Sequence, residues 1–239
     1  INESIAHCRR ILSKYPKCIE TYRLLGKSLL EQKKLTESSD IFSRVLTAYP
    51  DDFLSHVCLS IIAEENRDLD LSIWHMESAF DVQPSNLAIQ EELRRLFGRR
   101  DGVQPDKIRL SRGALIRMYV KGELYQQAIA EIHSALAENP KRIDLEVLLA
   151  RMQYQSGSIV ETVETCNNIL EKLPFCYDPN LLLDLIFSKS GNLENAKIHR
   201  DRLISLNPYY EYQPPSLNAL VDNEELVMLE KLIYDPSID

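Results

Sequence analysis

Apolar residues along this chain fall at helical spacing in short blocks. Leu25, Leu29 and Leu30 line one block, and Ile41, Phe42, Val45 and Leu46 line the next. Positions three and four apart share a helix face, so each block predicts a helix with one apolar stripe. Polar turn signals separate paired blocks, as at Lys121-Gly122-Glu123, Ser156-Gly157-Ser158 and Ser190-Gly191-Asn192. The second stripe of each pair begins shortly afterwards, at Tyr125, Ile159 and Leu193. Prolines close the pairs, because proline cannot continue a helix and pushes the residue before it out of helical geometry. Asp51-Asp52, Ser85-Asn86 and Asp178 follow these prolines and are the expected caps of the next helices.

The prolines also set a ruler. Pro16, Pro50 and Pro84 are evenly spaced, and Pro140, Pro174 and Pro208 repeat the same step. Reading back from each gives one grammar. Before Pro50 it is Tyr22-x2-Leu25-Gly26-x2-Leu29, then Ser38-x3-Phe42; before Pro84 it is His56-x2-Leu59-Ser60-x2-Ala63, then Ser72-x3-Met76. The later copies start at Arg112, Glu146 and Asn180, with Leu115, Leu149 and Leu183 in the leucine slot, and Leu93 marks a partial copy. In both step and grammar this resembles the tetratricopeptide repeat, W-x2-L-G-x2-Y followed by A-x3-F and P, over residues 1 to about 208. The leucine slot is filled throughout, the tryptophan slot never holds Trp, and the glycine slot holds Gly only at Gly26. The resemblance implies an all-α solenoid of helix-turn-helix repeats wound as a right-handed superhelix. Its first helices would line a concave groove that binds a protein or peptide partner.

Between Pro84 and Pro140 the ruler slips: the step there is longer than one period and shorter than two. Residues 86–97 read as a first helix without its partner, and Gly98 to Asp106 reads as a polar loop. A new helix is expected from about Pro105 to Lys121. The expected organisation is an N-terminal sub-array over 1–97, a junction over 98–106, and a C-terminal three-repeat sub-array over 107–208. One continuous superhelix with an irregular helix fits the same pattern. Residues 2–15 read as a second helix, so the chain opens mid-repeat and a segment upstream is expected. After Pro208, residues 209–215 are expected to be extended. Asp222 or Asn223 would then cap a short amphipathic helix carrying Leu226, Leu229, Leu232 and Ile233, which either covers the last repeat or docks in a groove.

Composition adds bounds. The chain has 239 residues, 44% of them hydrophobic, a net charge of −8, and no apolar run long enough for a membrane span. The five cysteines, an odd number, include Cys8 and Cys166 in the aromatic slot of second helices, which points to reduced thiols and a cytoplasmic setting. Catalysis has no motif to rest on: no Cys-x2-Cys, His-Glu-x2-His, phosphate loop or nucleophile elbow occurs, and the histidines are scattered. No catalytic residue, metal site or cofactor is expected. Trp74, on a second helix, reads as a packing residue.

Charge is unevenly laid out. Residues 94–121 carry nine basic side chains against Asp101 and Asp106, a local charge of +7 that leaves −15 for the rest. The slot two residues after the repeat leucine reads Lys27, Ile61, Arg95, Arg117, Arg151 and Leu185. The resemblance places this slot on the groove. Lys27, Arg95, Arg117, Lys121 and Arg151 are thus candidate ligands for acidic groups, guanidinium forks matching carboxylates. The lysine–asparagine clamp of chaperone-binding repeats is absent, and nucleic acid is disfavoured because the acidic remainder repels phosphate. The expected function is a non-enzymatic interaction scaffold. A self-assembling repeat protein, and a regulatory domain of a larger enzyme or sensor, are the alternatives.

Overall fold

The computed structural model describes residues 1–212, and the expected tail helix lies outside them. Among the described residues there are twelve α-helices and no strand. They are α1 (Asn2–Lys14), α2 (Ile19–Glu31), α3 (Leu35–Ala48), α4 (Phe53–Glu65), α5 (Leu69–Val82), α6 (Leu87–Asp101), α7 (Arg112–Lys121), α8 (Tyr125–Glu138), α9 (Ile143–Gln155), α10 (Ile159–Lys172), α11 (Tyr177–Lys189) and α12 (Leu193–Leu206). α2/α3, α4/α5, α7/α8, α9/α10 and α11/α12 pack as helix-turn-helix pairs, α1 is a lone second helix, and α6 a lone first helix. This is the tetratricopeptide-type repeat array that the slots imply.

Each slot has a physical role. In four copies the tryptophan slot holds a donor that reaches back six residues to a proline carbonyl left free outside the helices; Glu146 in the same slot cannot donate, and no proline lies six residues before Arg112. Tyr22 donates to Pro16 (2.9 Å), His56 to Pro50 (3.0 Å), Gln90 to Pro84 (2.7 Å) and Asn180 to Pro174 (3.1 Å). Any donor of the right reach serves, which accounts for a slot that never holds Trp. The glycine slot faces the aromatic slot of its own second helix, and the two change together: Gly26 lies under Phe42, Ser60 bonds Ser72 beside Met76, and Asp184 takes the Arg200 guanidinium at 2.7 Å. Asp52 and Asn86 cap α4 and α6 as expected. Asp178 does not cap; it lies within α11, whose N-cap is Cys176, and it pairs with Arg151 instead.

Three boundaries differ from the sequence reading. α6 runs on to Asp101, stopped by Gly102 in left-handed geometry, so the loop starts later than Gly98. α7 starts at Arg112 rather than near Pro105, because Ser111 caps it. Residues Tyr210–Tyr212 form a 3-10 turn rather than an extended strand, since Tyr210 is drawn under Tyr177 and bonds Asp184 through its hydroxyl (3.3 Å).

The phase slip redirects the chain. α7 packs on α5, as α6 does. The buried Asp81 carboxylate at the end of α5 accepts Ser111 Oγ–H at the start of α7 and Arg142 Nη2 (2.7 Å) at the start of α9. Gly113 leaves the room for this, because a Cβ there would overlap that carboxylate. The proline loops of helices α1–α6 then face those of α7–α12. Tyr49 stacks on Tyr177 with ring centres 5.0 Å apart, and Lys17 sits 4.1 Å over the Phe175 ring. Ile19, Val45, Ala48 and Leu206 close the seam between them.

Between paired helices one residue adopts a left-handed conformation: Gly157 and Gly191 in two turns, but Lys33, Arg67 and Glu123 in the others (φ 57°, 64° and 55°). Left-handed geometry costs an L-residue about 1 kcal/mol and glycine nothing. Glu123→Gly is therefore expected to raise the unfolding free energy by about 0.5 kcal/mol or more, and Gly157→Ala to lower it by about 1 kcal/mol. Urea titrations of both variants measure this directly.

Candidate functional site

The three arginines among the five cations singled out by the sequence come to rest on carboxylates. Arg95 forks onto Glu64 (2.7 and 2.6 Å) and Glu92 (2.9 Å), and Arg99 joins the same Glu64. Arg112 holds Glu131 (3.1 Å) and Glu138 (2.7 Å). Arg117 on α7 reaches across to Asp51 in the α3–α4 loop at 3.2 Å, and Arg151 on α9 pairs with Asp178 on α11. Lys27 and Lys121 are exposed and form no ion pair among the described residues. An open stripe of five groove cations is therefore not what the fold builds. Arg117 and Arg151 form one interior cluster, and Arg95 belongs to another.

The interior cluster is tightly enclosed. Arg117 Nε and Nη2, Arg151 Nε and Asp178 Oδ1 are buried without a hydrogen-bond partner, so these groups face protein, not solvent. Burial pushes the Asp51 carboxyl up, but Arg117 and then Arg151 outweigh it and hold Asp51 below its ordinary range. At Asp178 burial prevails over the pull of Arg151 and pushes the carboxyl up. Cation and carboxylate come from opposite sides of the seam at Arg117–Asp51 and Arg142–Asp81. Removing one partner of such a buried pair leaves an uncompensated charge, which costs about 3–5 kcal/mol.

A cleft of about 240 Å³ opens beside these pairs, where α3, α4 and α5 meet the start of α9 and the end of α10. Its apolar lining is Leu46, Pro50, Trp74, Ile143 and Leu173. Trp74, the only tryptophan, is 47% exposed, which corrects its reading as a packing residue. Its ring is held edge-on by His75 (4.7 Å) and His56 (5.9 Å). His56 Nε2–H donates to the Pro50 carbonyl, which leaves His56 Nδ1 to accept the His75 Nδ1–H at 3.1 Å. Both rings are neutral. Burial pushes His56 down against the pull of the Pro50 carbonyl, and burial with the neighbouring His56 takes His75 to about 4. The pair positions the indole; as a proton carrier near neutral pH it is unsuited. At the mouth, Arg142 is forked onto Asp144 (2.8 and 2.7 Å), while exposed Lys141 forms no ion pair among the described residues.

Sequence reasoning missed this cleft because its two walls lie far apart in the chain. The recurring 19-residue step that pairs His56 with His75 and Asn180 with His199 (2.9 Å) was readable as a slot, and it would have placed a polar pair under Trp74. Four of the five cysteines lie in the core, and Cys18 is partly buried. Cys8, Cys58, Cys166 and Cys176 are free and buried, and burial pushes the Cys58 thiol to about 11. Among the described residues no helix is long and apolar enough to cross a membrane.

Two measurements check the electrostatics. Arg151→Glu places three carboxylates together, so it is expected to lower the unfolding free energy by about 3 kcal/mol or more in urea titrations. Stability should also fall on acidification between about pH 6.5 and 4, because the unfolded chain protonates its histidines while folded His56 and His75 stay neutral. His75→Gln is expected to flatten that part of a melting-temperature profile.

No family model matches the sequence, and no curated protein matches it. The chain is similar to several solved structures. One is YrrB, a tetratricopeptide repeat protein with an unusual peptide-binding site, at 12% identity, covering 85% of this chain and 94% of that one with a TM-score of 0.35. Another is MamA of MSR-1, at 16% identity over 80% of this chain and 97% of that one, TM-score 0.35. A third is the Cut9–Hcn1 hetero-tetramer of the APC/C, at 13% identity over 87% of this chain and 43% of that one, TM-score 0.42. The helix pairs, the common step within each proline trio and the slots that join them give this chain a tetratricopeptide-type repeat fold.

Proposed function

We propose that the chain is a non-enzymatic protein-interaction scaffold that seats an apolar side chain of a partner segment in the cleft beside Trp74. The observation that carries this reading is a half-exposed tryptophan beside an apolar cleft lined by Leu46, Pro50, Ile143 and Leu173. Tryptophan is among the residues enriched at the energetic centres of protein interfaces. At about 240 Å³ the cleft is below the usual size for a whole small-molecule ligand, ~300–1,000 Å³, and suits one inserted side chain.

Selection for acidic partners passes in this reading from the five groove candidates to Lys141. It is the cation at the mouth that no carboxylate among the described residues claims. Lys27 and Lys121 are exposed but do not line the cleft, and take no part in this reading. Arg95, Arg117 and Arg151 hold the frame. A partner segment would thus carry an apolar anchor next to an acidic residue, bound by desolvation of the first and charge pairing of the second.

Panning a random peptide display library on the full chain tests this. Enriched peptides should share an apolar residue beside Asp or Glu, and Trp74→Ala should weaken them about tenfold or more, ~1.4 kcal/mol, with melting preserved. Lys141→Glu should weaken the acidic peptides selectively. Enriched peptides that bind Trp74→Ala as well as the original chain would overturn the cleft as the site.

A further inference from the structure

The repeat geometry exposes one face that its own rule covers everywhere else. In a first helix, the leucine slot and the residue three later turn toward the second helix of the preceding pair. Leu59 and Ile62 pack with Phe42 of α3, and Leu149 and Met152 pack with Ile132 and Ala135 of α8. Leu93 and Leu96 of α6 pack with Met76 and Phe80 of α5. α7 has no second helix before it, because α6 is followed by a loop. Met118 is accordingly 53% exposed where Ile62, Leu96 and Met152 are 2%, 0% and 4%, and Leu115 is only half-buried.

The margin of this face is cationic. Lys121, three residues after Met118 on α7, and Arg109, just before the helix, are exposed and form no ion pair among the described residues, and Leu110 is half-exposed. A complementary occupant has an apolar side and several carboxylates. Residues 213–239 have that composition: six acidic residues against Lys231, with Leu226, Leu229, Leu232 and Ile233 at helical spacing. Asp222 to Asp235 is 14 residues, the length of α3, α5, α8, α10 and α12 alike.

The described chain also ends in the right neighbourhood. Tyr210 lies edge-on to Tyr177 at 6.5 Å, and the adjacent Asp178 belongs to the charge cluster of Arg151 and Arg117, the last of which is on α7. The stretch 213–221 spans up to ~30 Å when extended, about twice the length of a helix such as α7. We propose that residues 222–235 of this chain cover the Leu115–Met118 face of α7. Apolar burial of Met118 and Leu115 and pairing of the acidic residues with Arg109 and Lys121 drive the docking.

Methionine oxidation reads this out without altering α7. The full chain and its Leu229→Glu, Leu232→Glu variant are treated with hydrogen peroxide, and sulfoxide at Met76, Met118 and Met152 is followed by mass spectrometry. Met118 should oxidise about fivefold more slowly or better in the original chain than in the variant, with Met76 and Met152 slow in both. Circular dichroism confirms that the variant keeps its helices. Equal Met118 rates in the two proteins would overturn the proposal. Protection that disappears on dilution would overturn it in favour of the same segment reaching over from a second copy.

Discussion

The structure depends on carboxylates of one half meeting guanidinium groups of the other. Asp51 takes Arg117, and Asp81 takes Arg142 together with the cap of α7. Two helix arrays that present polar proline loops to each other would otherwise be separated by water. Charge-assisted bonds fix the register of the loops, and the apolar seam of Tyr49, Tyr177 and Leu206 then closes around them. Buried ion pairs of this kind stabilise little by themselves, but a mismatch is costly, so they specify how the halves meet.

The helices and their pairing were legible because each slot answers a local need that recurs once per repeat. Leucine fills its slot since it faces the preceding helix, and in four copies a donor fills the tryptophan slot since a proline carbonyl lies six residues back. Even the departures are complementary: a charged residue in the glycine slot, Asp184, is answered by a charged residue in the aromatic slot, Arg200. Arg94 in the glycine slot of α6 answers a loop instead, donating to the Pro105 carbonyl at 2.8 Å. That arginine was the sequence-level sign that no second helix packs on α6.

The site was less legible, for a reason that the charges make plain. A +7 segment in a chain of net −8 reads, on sequence alone, as a surface waiting for an acidic ligand. Its ligands are in the chain, at Glu64 for Arg95 and at Asp51 for Arg117, 31 and 66 residues away. Local pattern fixes which face of a helix a side chain occupies; it does not fix which distant loop arrives opposite that face. The same holds for Trp74, whose exposure is decided by where Ile143 and Leu173 of the other half come to rest.

The lost phase between Pro84 and Pro140 links these observations. An uninterrupted ruler would have laid α7 against a second helix following α6 and carried the array onward with an open concave side. Losing that helix lets α7 fall onto α5, where Asp81 and Gly113 receive it, and this turns the later pairs back toward the first. The inward-facing arginines are then neutralised, and the groove that a longer array would offer is reduced to the cleft beside Trp74. The helix that was lost also leaves Met118 uncovered on the opposite flank. Closure and exposure therefore have one origin, the single break of phase between Pro84 and Pro140.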